Sequence, residues 1–346
     1  YEETSRMVDA FLEAGFNYFD TAHGYIGGKS EIALRGCLTS RYPRDAYILT
    51  NKLSGYQFQS NEEIRPLFQS QLEACGVDYF DFYLMHAQSR ENYEKYKACR
   101  AYETALEFLK EGKIRYFGIS FHDTAETLEK ILTEYPQIQV VQIQLNYMDM
   151  DDPSVQSRKC LEVCRKYNKP AIVMEPVKGG TLANLSPDLE EMFRAVRPDK
   201  SSASWAMRFC GSLDGIGTIL SGMSNEEQVE DNLATFADFE PLTDDDKAII
   251  DKVLEKMLAT PLIGCTTCRY CVDGCPQNIH IPDIFGAVNT ARKFPKDNRP
   301  KFFYGSLTGY SGKASSCIEC GQCEAVCPQH LPIIELLKEA VEKLEN

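Results

Sequence analysis

Tyr79-Phe-Asp-Phe-Tyr-Leu-Met-His86 is one of seven short apolar runs that alternate with helical patterns over residues 1–222 of this chain. Runs this apolar, each followed by a stretch with helical spacing, are typical of parallel strands covered by helices. Two α/β folds fit the pattern, an open doubly wound sheet and a closed (β/α)8 TIM barrel. The predicted strands are Phe16–Asp20, Ala46–Lys52, Tyr79–His86, Ile114–Ser120, Val140–Tyr147, Ala171–Val177 and Gly215–Gly222.

The residues at the ends of these strands favour the barrel, because (β/α)8 enzymes carry their active sites at the carboxyl ends of the strands. The residues at these ends are Asp20, Lys52, His86, Ser120, Asn146 and Gly222. A barrel needs one more strand, and the helix predicted at Glu2–Ala14 has no strand before it. We therefore expect the first barrel strand to lie upstream of Tyr1.

The end of the chain carries one cysteine motif twice. Cys265-x2-Cys268-x2-Cys271-x3-Cys275-Pro276 returns 52 residues later as Cys317-x2-Cys320-x2-Cys323-x3-Cys327-Pro328. Three thiolates spaced in this way wrap three corners of a [4Fe-4S] cubane, and a more distant cysteine binds the fourth iron. The spacing therefore predicts two [4Fe-4S] clusters. Structural zinc and a disulfide framework are the alternatives, but zinc modules prefer paired CxxC knuckles to triplets followed by proline.

The pairing of the two motifs follows from a rule for two-cluster ferredoxins, in which the fourth ligand of each cluster comes from the other motif. On that rule one cluster takes Cys265, Cys268, Cys271 and Cys327. The other cluster takes Cys317, Cys320, Cys323 and Cys275. Helices are predicted after the two motifs, at Pro282–Lys293 and Pro332–Leu344.

Composition limits the partners and the compartment. The net charge of −14, with no basic stripe, argues against binding to nucleic acid or to anionic membranes. The sequence has no apolar run long enough to span a bilayer. The six remaining cysteines lack metal-ligand spacing and are interpreted as reduced thiols, which fits a cytoplasmic protein. They are Cys37, Cys75, Cys99, Cys160, Cys164 and Cys210.

The length of 346 residues allows a full-sized core and a smaller second domain. A last helix of the first part is predicted from Thr243 to about Ala259, and Pro261 and Gly264 mark the boundary behind it. We therefore assign residues 1–240 to the barrel, 241–264 to a helix and linker, and 265–346 to a small, mainly helical cluster domain.

Four residues at or just after strand ends carry a resemblance to a known family. Asp20 ends the first predicted strand and begins the segment Asp20-Thr-Ala-His-Gly-Tyr25, Lys52 ends the second strand and His86 ends the third. In this order, at the ends of three strands, they resemble the catalytic Asp, Tyr, Lys and His of the aldo-keto reductase family. The resemblance implies an oxidoreductase that reduces an aldehyde or ketone with NADPH or NADH, or oxidises an alcohol in the reverse direction.

The chemistry explains these residue types. Reduction of a carbonyl needs hydride at carbon and a proton at oxygen, and a tyrosine that ionises at about pH 10 is a reluctant donor near neutrality. A Lys52 ammonium beside the phenol of Tyr25 would favour the phenolate, and Asp20 would keep that ammonium charged and oriented. His86 would position or polarise the carbonyl oxygen.

The resemblance continues through the cofactor-binding segments of the family and covers about residues 1–236. It implies that Ser120 and Gln144 contact the carboxamide and that the Gly179-Gly180 loop meets the pyrophosphate. The residues that it implies at the adenosine end are Gly222, Ser224, Gln228 and Asn232. Gly222 and Gln228 stand where family members specific for the 2′-phosphate often carry Lys and Arg, so the choice between NADP and NAD stays open.

Joining the two halves raises a question of electron number. A nicotinamide transfers two electrons as hydride, whereas a [4Fe-4S] cluster accepts one at a time, and a flavin usually links such partners. The sequence shows no convincing flavin motif. Three interpretations stay open. The clusters exchange electrons with a flavin or redox protein elsewhere, or the clusters are structural and the barrel works alone, or the barrel no longer uses nicotinamide in the usual way.

The sequence thus predicts an aldo-keto reductase-like enzyme, joined to a ferredoxin-type domain, that acts on a small carbonyl compound or alcohol. The rival hypothesis is an iron–sulfur electron carrier whose barrel is a non-catalytic ligand-binding or docking module. The two hypotheses differ in whether turnover depends on Tyr25.

Overall fold

The computed structural model describes residues 1–346 except 154, 260, 266–268, 296 and 328–330. The chain divides into two compact units. The first unit contains residues 1–184 and 197–247, and the second contains residues 185–196 and 248–346. The domain limits taken from the sequence, 1–240, 241–264 and 265–346, stay predictions.

The first unit is built on one parallel sheet, and each of the seven runs predicted as strands overlaps one of its strands. They are β1 (Tyr18–Asp20), β2 (Ile48–Leu53), β3 (Phe80–Gln88), β4 (Ile114–Phe121), β5 (Val140–Gln144), β6 (Ala171–Met174) and β7 (Ile216–Ile219). Their order in the sheet is the order in the chain, and every neighbouring pair is parallel. A doubly wound sheet would reverse its strand order at a switch point. The predicted (β/α)8 barrel is therefore confirmed, with seven strands in the described residues.

Helices connect the strands, and three of them begin at a side-chain cap. Ser89, Ser201 and Asn225 each accept a hydrogen bond from a backbone N–H in the first turn of the helix that follows. The helices up to residue 258 are α1 (Glu2–Glu13), α2 (Lys29–Leu34), α3 (Ile64–Cys75), α4 (Arg90–Ala98), α5 (Ala101–Lys110), α6 (Ala125–Glu134), α7 (Ser157–Lys166), α8 (Pro187–Arg194), α9 (Ser202–Gly211), α10 (Glu226–Ala237) and α11 (Asp244–Leu258).

Three strands end earlier than the sequence predicted, and two of the ends have a clear cause. After β5, the side-chain oxygen of Asn146 accepts hydrogen bonds from the N–H groups of Met148 and Asp149, which turns the chain. After β6, Glu175 adopts a left-handed conformation with φ of 58°. The strand predicted to reach Gly222 ends at Ile219.

A glycine allows the central strands to approach closely. A Cβ atom at Gly118 of β4 would lie 2.6 Å from the carbonyl oxygen of Val140 and 2.7 Å from a methyl carbon of Leu84. Only glycine fits this position without displacing a neighbouring strand. The close pairing of β3, β4 and β5 places the carboxyl ends of these strands side by side.

The second unit contains the cysteine motifs and repeats its own structure. Its further helices are α12 (Tyr270–Asp273), α13 (Ile281–Lys293), α14 (Arg299–Leu307), α15 (Gln322–Ala325) and α16 (Ile333–Ala340). The short helices α12 and α15 occupy corresponding positions in the two motifs, and each follows a residue with positive φ, Arg269 or Gly321. A separate apolar core lies between α13, α14 and α16. Within the described residues, no helix is long and apolar enough to cross a membrane.

Candidate active site and cluster-binding cysteines

A buried ion pair lies at the carboxyl ends of β1 and β2. The side chain of Lys52 is fully buried, and its Nζ donates hydrogen bonds to the carboxylate of Asp20 and, at 3.0 Å, to the carbonyl oxygen of Thr21. Burial raises the pKa of Asp20 because the carboxylate loses its water, and the Lys52 ammonium offsets part of this rise. Either charge alone would be costly in this position, so the two side chains depend on each other.

Tyr25 lies beside this pair and remains open to solvent. The Nζ of Lys52 is 4.9 Å from the centre of the Tyr25 ring, and the phenol oxygen is 3.4 Å from Nε2 of His86. The ring is 39 % exposed. The structure thus brings together the four residues predicted to be catalytic, with the phenol at the accessible edge of the group.

The imidazole of His86 is held by a residue that the sequence analysis missed. Nδ1 of His86 lies 2.7 Å from the hydroxyl oxygen of Ser54, which is itself buried. Burial, followed by the nearby Lys52 ammonium and His122, lowers the pKa of His86 to about 3. His86 is therefore neutral near pH 7 and can donate a hydrogen bond through one ring nitrogen only.

A second polar group lies beyond β5 and β6, around Asp149. This carboxylate is only 1 % exposed and accepts hydrogen bonds from the side-chain amides of Gln144, at 3.0 Å, and Asn146, at 2.7 Å. It also forms an ion pair with Lys178. The sequence analysis named Gln144 and the loop that contains Lys178, but it missed Asp149, which connects them.

The predicted glycine loop follows directly after Lys178. Gly179 and Gly180 have φ values of 58° and 90°, in the left-handed region that glycine adopts without strain. Ser120, another predicted cofactor contact, is buried at the end of β4, and its hydroxyl oxygen lies 3.4 Å from the backbone nitrogen of Ala87. Ser120 and Gln144 thus lie near the ends of paired strands.

The residues predicted at the adenosine end gather at the start of α10. The side-chain oxygen of Gln228 accepts a hydrogen bond of 2.7 Å from the backbone of Ser224, and the amide of Asn232 donates one of 2.9 Å to Ser221. A Cβ atom at Gly222 would meet no atom within 4 Å outside its chain neighbours. These residues therefore support one another's conformation and leave open space at Gly222.

The cysteines of the second unit line a cavity that joins the two motifs. Cys317, Cys320 and Cys323 of the second motif border it together with Cys275 of the first, and the volume of about 340 Å³ between these walls includes open solvent. The remaining wall is mostly apolar and includes Ile279, Ile281, Ile318, Ile334 and Leu337. Four thiols around an apolar cavity fit the donor set and the surroundings of a [4Fe-4S] cluster.

The four cysteines at this cavity are not arranged like the ligands of a single metal ion. Throughout the part of the chain that the structure describes, no three Cys, His, Asp or Glu side chains converge as they would around one metal ion. In the other predicted ligand set, Cys265, Cys271 and Cys327 all border the apolar core of the second unit. Cys268 lies outside the described residues.

The six cysteines of the first unit have no such surroundings. All six are buried and form no disulfide. Burial raises the pKa of Cys160 to about 12, and the same cause raises the pKa values of Cys75 and Cys210. Thiols of this kind are poor nucleophiles and metal ligands near neutral pH.

Known protein families match both the barrel and the cysteine-rich part of the chain. A family model described as "Aldo/keto reductase family" matches residues 1–255, and one described as "4Fe-4S dicluster domain" matches residues 264–332. An aldo-keto reductase of Mycobacterium avium is 27% identical over 236 residues, which cover 68% of this chain and 76% of the relative. The NADH-specific methylglyoxal reductase of Escherichia coli is 28% identical over 195 residues, covering 51% and 57%.

A solved structure shows the same fold. The aldo/keto reductase of Klebsiella pneumoniae, determined in complex with NADP and acetate, superposes with a TM-score of 0.60 at 20% sequence identity. The superposition covers 73% of this chain and 85% of that protein.

The lowered pKa of His86 predicts how stability depends on pH. The pKa is about 3 in the folded protein and 6.5 in the absence of its surroundings, so the unfolded chain takes up the proton first. The contribution of neutral His86 to the free energy of unfolding is therefore fully present above pH 6.5 and is lost as the pH falls toward 3. We expect the free energy of unfolding, measured by urea denaturation, to fall between pH 7 and pH 4 in both proteins. The decrease should be smaller in His86→Gln than in the parent. An equal decrease in the free energy of unfolding for the two proteins would contradict this.

Proposed function

Since the chain belongs to the aldo/keto reductase family and is an oxidoreductase, we propose that its barrel catalyses nicotinamide-dependent reduction of a small aldehyde or ketone. The reverse oxidation of an alcohol uses the same groups. The observation that carries the proposal is the buried Asp20–Lys52 pair against the ring of Tyr25. A fully buried ammonium beside a solvent-accessible phenol serves no purpose in packing, but it suits an acid that must give up a proton.

In this proposal Tyr25 is the general acid. Its exposure leaves the phenol accessible to a substrate, whereas Lys52 is closed off from water. The Lys52 ammonium stabilises the phenolate that remains after proton transfer, and it acts strongly because the site around it is dry. Asp20 keeps the ammonium in place and balances its charge.

His86 would orient the carbonyl oxygen of the substrate. A neutral imidazole in contact with Ser54 has one nitrogen facing the phenol and the other facing the serine hydroxyl. If Ser54 donates to Nδ1, the proton of the imidazole is on Nε2, where it can be shared with a substrate oxygen. Ser54 therefore supports His86 as a positioning residue.

The cofactor would lie over the ends of β4, β5 and β6, and when bound it supplies the hydride. A carboxylate accepts hydrogen bonds only, so Asp149 requires Gln144 to turn its NH2 group inward. The side-chain oxygen of Gln144 is then the atom left to accept from a carboxamide. Lys178 brings a positive charge to the glycine loop, where a pyrophosphate would bind, and Ser120 completes the carboxamide end.

The choice between NADP and NAD belongs to the adenosine end. The residues proposed there are Gly222, Ser224, Gln228 and Asn232, and none of the four carries a positive charge. A 2′-phosphate binds best to guanidinium or ammonium groups. We therefore propose that the protein accepts both cofactors, in line with an NADH-specific relative and a solved neighbour that binds NADP.

The second unit would hold two [4Fe-4S] clusters with crossed ligation. One cluster would use Cys317, Cys320, Cys323 and Cys275, the four cysteines that line the cavity. The other would use Cys265, Cys268, Cys271 and Cys327. The crossed pairing is supported by the position of Cys275, which belongs to the first motif in sequence and to the second in space.

Electrons from such clusters need a partner that takes them singly. Cys320 is exposed, so one cluster would lie close to the surface of the protein. We propose that a flavin-containing or other redox protein exchanges electrons with this cluster. Such a partner is needed because nicotinamide transfers two electrons together as hydride, whereas each cluster accepts one electron at a time.

Replacement of Tyr25 tests the catalytic proposal. Tyr25→Phe keeps the ring but removes the acidic proton, so we expect kcat for carbonyl reduction to fall by about a hundredfold or more. The measurement is oxidation of NADPH and of NADH with methylglyoxal and other carbonyl compounds under anaerobic conditions. The matched control is Tyr116→Phe, a similarly exposed tyrosine near the start of β4. Equal rates for the parent and Tyr25→Phe would favour an electron carrier with a non-catalytic barrel.

Iron analysis of cysteine variants tests the crossed ligation. The parent should contain about eight irons per chain, and a Cys320→Ala/Cys323→Ala variant about four, since it loses one cluster. Adding Cys275→Ala to that variant should remove no further iron, because Cys275 belongs to the lost cluster. Adding Cys327→Ala should abolish the remaining cluster. The opposite pattern would show that each motif binds its own cluster.

A further inference from the structure

A buried carboxylate that the proposed chemistry does not use lies beside the active site. Glu31, on α2, is only 1 % exposed. Its two oxygens accept hydrogen bonds from two different segments, from Nδ1 of His23 at 2.6 Å and from the amide of Asn51 at 2.7 Å. We call this set of three residues, His23, Glu31 and Asn51, the Glu31 bridge.

Each end of the Glu31 bridge is next to a residue of the proposed catalytic group. His23 lies two positions before Tyr25, in the loop between β1 and α2, and Asn51 directly precedes Lys52 in β2. The bridge therefore joins the loop that carries the phenol to the strand that carries the ammonium. The separation between these two groups determines how strongly the ammonium acts on the phenol.

The strand end of the bridge fixes the backbone of Lys52. The side-chain oxygen of Asn51 accepts a hydrogen bond of 2.8 Å from the N–H of Lys52, and the amide of Gln71 donates one of 2.8 Å to its carbonyl oxygen. Gln71 is held in turn by the hydroxyl of Tyr83, at 2.6 Å. All of these side chains are buried, so the position of Lys52 has little freedom.

The loop end of the bridge is held by its own hydrogen bonds and by β2. Residues 26, 27 and 28 all have positive φ, and the N–H groups of Tyr25 and Gly28 donate to carbonyl oxygens within the loop. Thr21, at the start of the loop, bonds through its backbone to Thr50 and to Nζ of Lys52, and its hydroxyl lies 2.8 Å from that of Ser30. The contact from His23 to Glu31 lies nearer to Tyr25 and connects this part of the loop to Asn51 of β2.

We propose that Glu31 is a positioning residue that holds the Tyr25 loop against Lys52. The role rests on the proposed function, because it matters for turnover only if Tyr25 and Lys52 act together. Replacing the carboxylate by an amide would leave one acceptor oxygen for two donors, those of His23 and Asn51, and would turn an NH2 group toward one of them. The loop would then move relative to the strand, and a displacement of about 1 Å can lower a rate by about a hundredfold.

The test compares Glu31→Gln with a matched loss of buried charge. Asp81 is also buried, at the start of β3, where it binds Arg44, Arg115 and the backbone of Leu49. Asp81→Asn therefore removes a carboxylate from the opposite end of the strands. We expect both variants to lose stability, whereas only Glu31→Gln should speed hydrogen exchange of the backbone amides of residues 25–28. Only Glu31→Gln should lower kcat, by about tenfold to a hundredfold, with the KM for the cofactor changed less than kcat.

A second variant tests the same bond in case Glu31→Gln does not fold. His23→Ala breaks the same bond from the partly exposed side, and we expect it to lower kcat to a similar extent. The double variant Glu31→Gln/His23→Ala should be little worse than either single variant, because both remove one connection. Multiplied losses of kcat in the double variant would overturn the proposal. So would a Glu31→Gln variant that matches Asp81→Asn in exchange, or one that retains the parent kcat.

The outcomes also separate this proposal from the proposed function. If the parent protein reduces no carbonyl compound with either cofactor, the proposed function fails whatever Glu31 does. Hydrogen exchange is measured without substrate, so it decides by itself whether the Glu31 bridge holds the loop. Unchanged exchange in both Glu31→Gln and His23→Ala would reject the bridge even in an active enzyme.

Discussion

The ion pair between Asp20 and Lys52 is the constraint on which the barrel's site depends. A lysine ammonium without access to water is stable only beside a negative charge and hydrogen-bond acceptors. The parallel register of β1 and β2 supplies them, because Asp20 pairs with Thr50 and so lies close to Lys52. The rest of the site follows from this arrangement, with Tyr25 against the ammonium and His86 kept neutral partly by the same charge.

The neighbours of Lys52 show how much of the structure serves its position. Its carbonyl oxygen and its N–H group are both bound by side chains, those of Gln71 and Asn51. Asn51 is bound in turn by Glu31, which contacts the Tyr25 loop through His23. Such networks are expensive when incomplete and rigid when complete. The rigidity suits the proposed reaction, in which the distance between the Lys52 ammonium and the Tyr25 phenol would affect the rate.

The second unit presents a different constraint. Its cysteines surround a cavity to which both motifs contribute, so neither motif alone provides four ligands there. The 4Fe-4S dicluster domain and the aldo/keto reductase barrel therefore combine a carrier of single electrons with a fold suited to hydride transfer. In our proposal these two kinds of chemistry meet through a redox partner that handles both, which would make that partner as important to the protein's role as its substrate.

Much of this could be predicted from the sequence. Alternating apolar runs predicted seven strands, and residues such as Asp20, Lys52 and His86 were recognisable because strand ends place side chains at one face of a barrel. The cysteine spacing predicted the 4Fe-4S domain that the family model matches at residues 264–332. Ser54, Asp149 and the role of Glu31 could not be predicted, because each also contacts a residue of another segment, His86, Lys178 and Asn51 respectively, that only folding brings near. The end of β5 was also missed, since a side-chain hydrogen bond from the turn, not the apolar pattern, terminates it.

The central claim is that the Lys52 ammonium promotes proton transfer from Tyr25. Its most direct measurement is the single-turnover rate of NADPH oxidation by a carbonyl compound, in the parent and in Lys52→Met/Asp20→Asn. The double variant removes both charges together, so it avoids an unpaired charge in the barrel. We predict a rate at least about a hundredfold lower, with unchanged iron content and cofactor affinity. An unchanged rate in the double variant would contradict the claim.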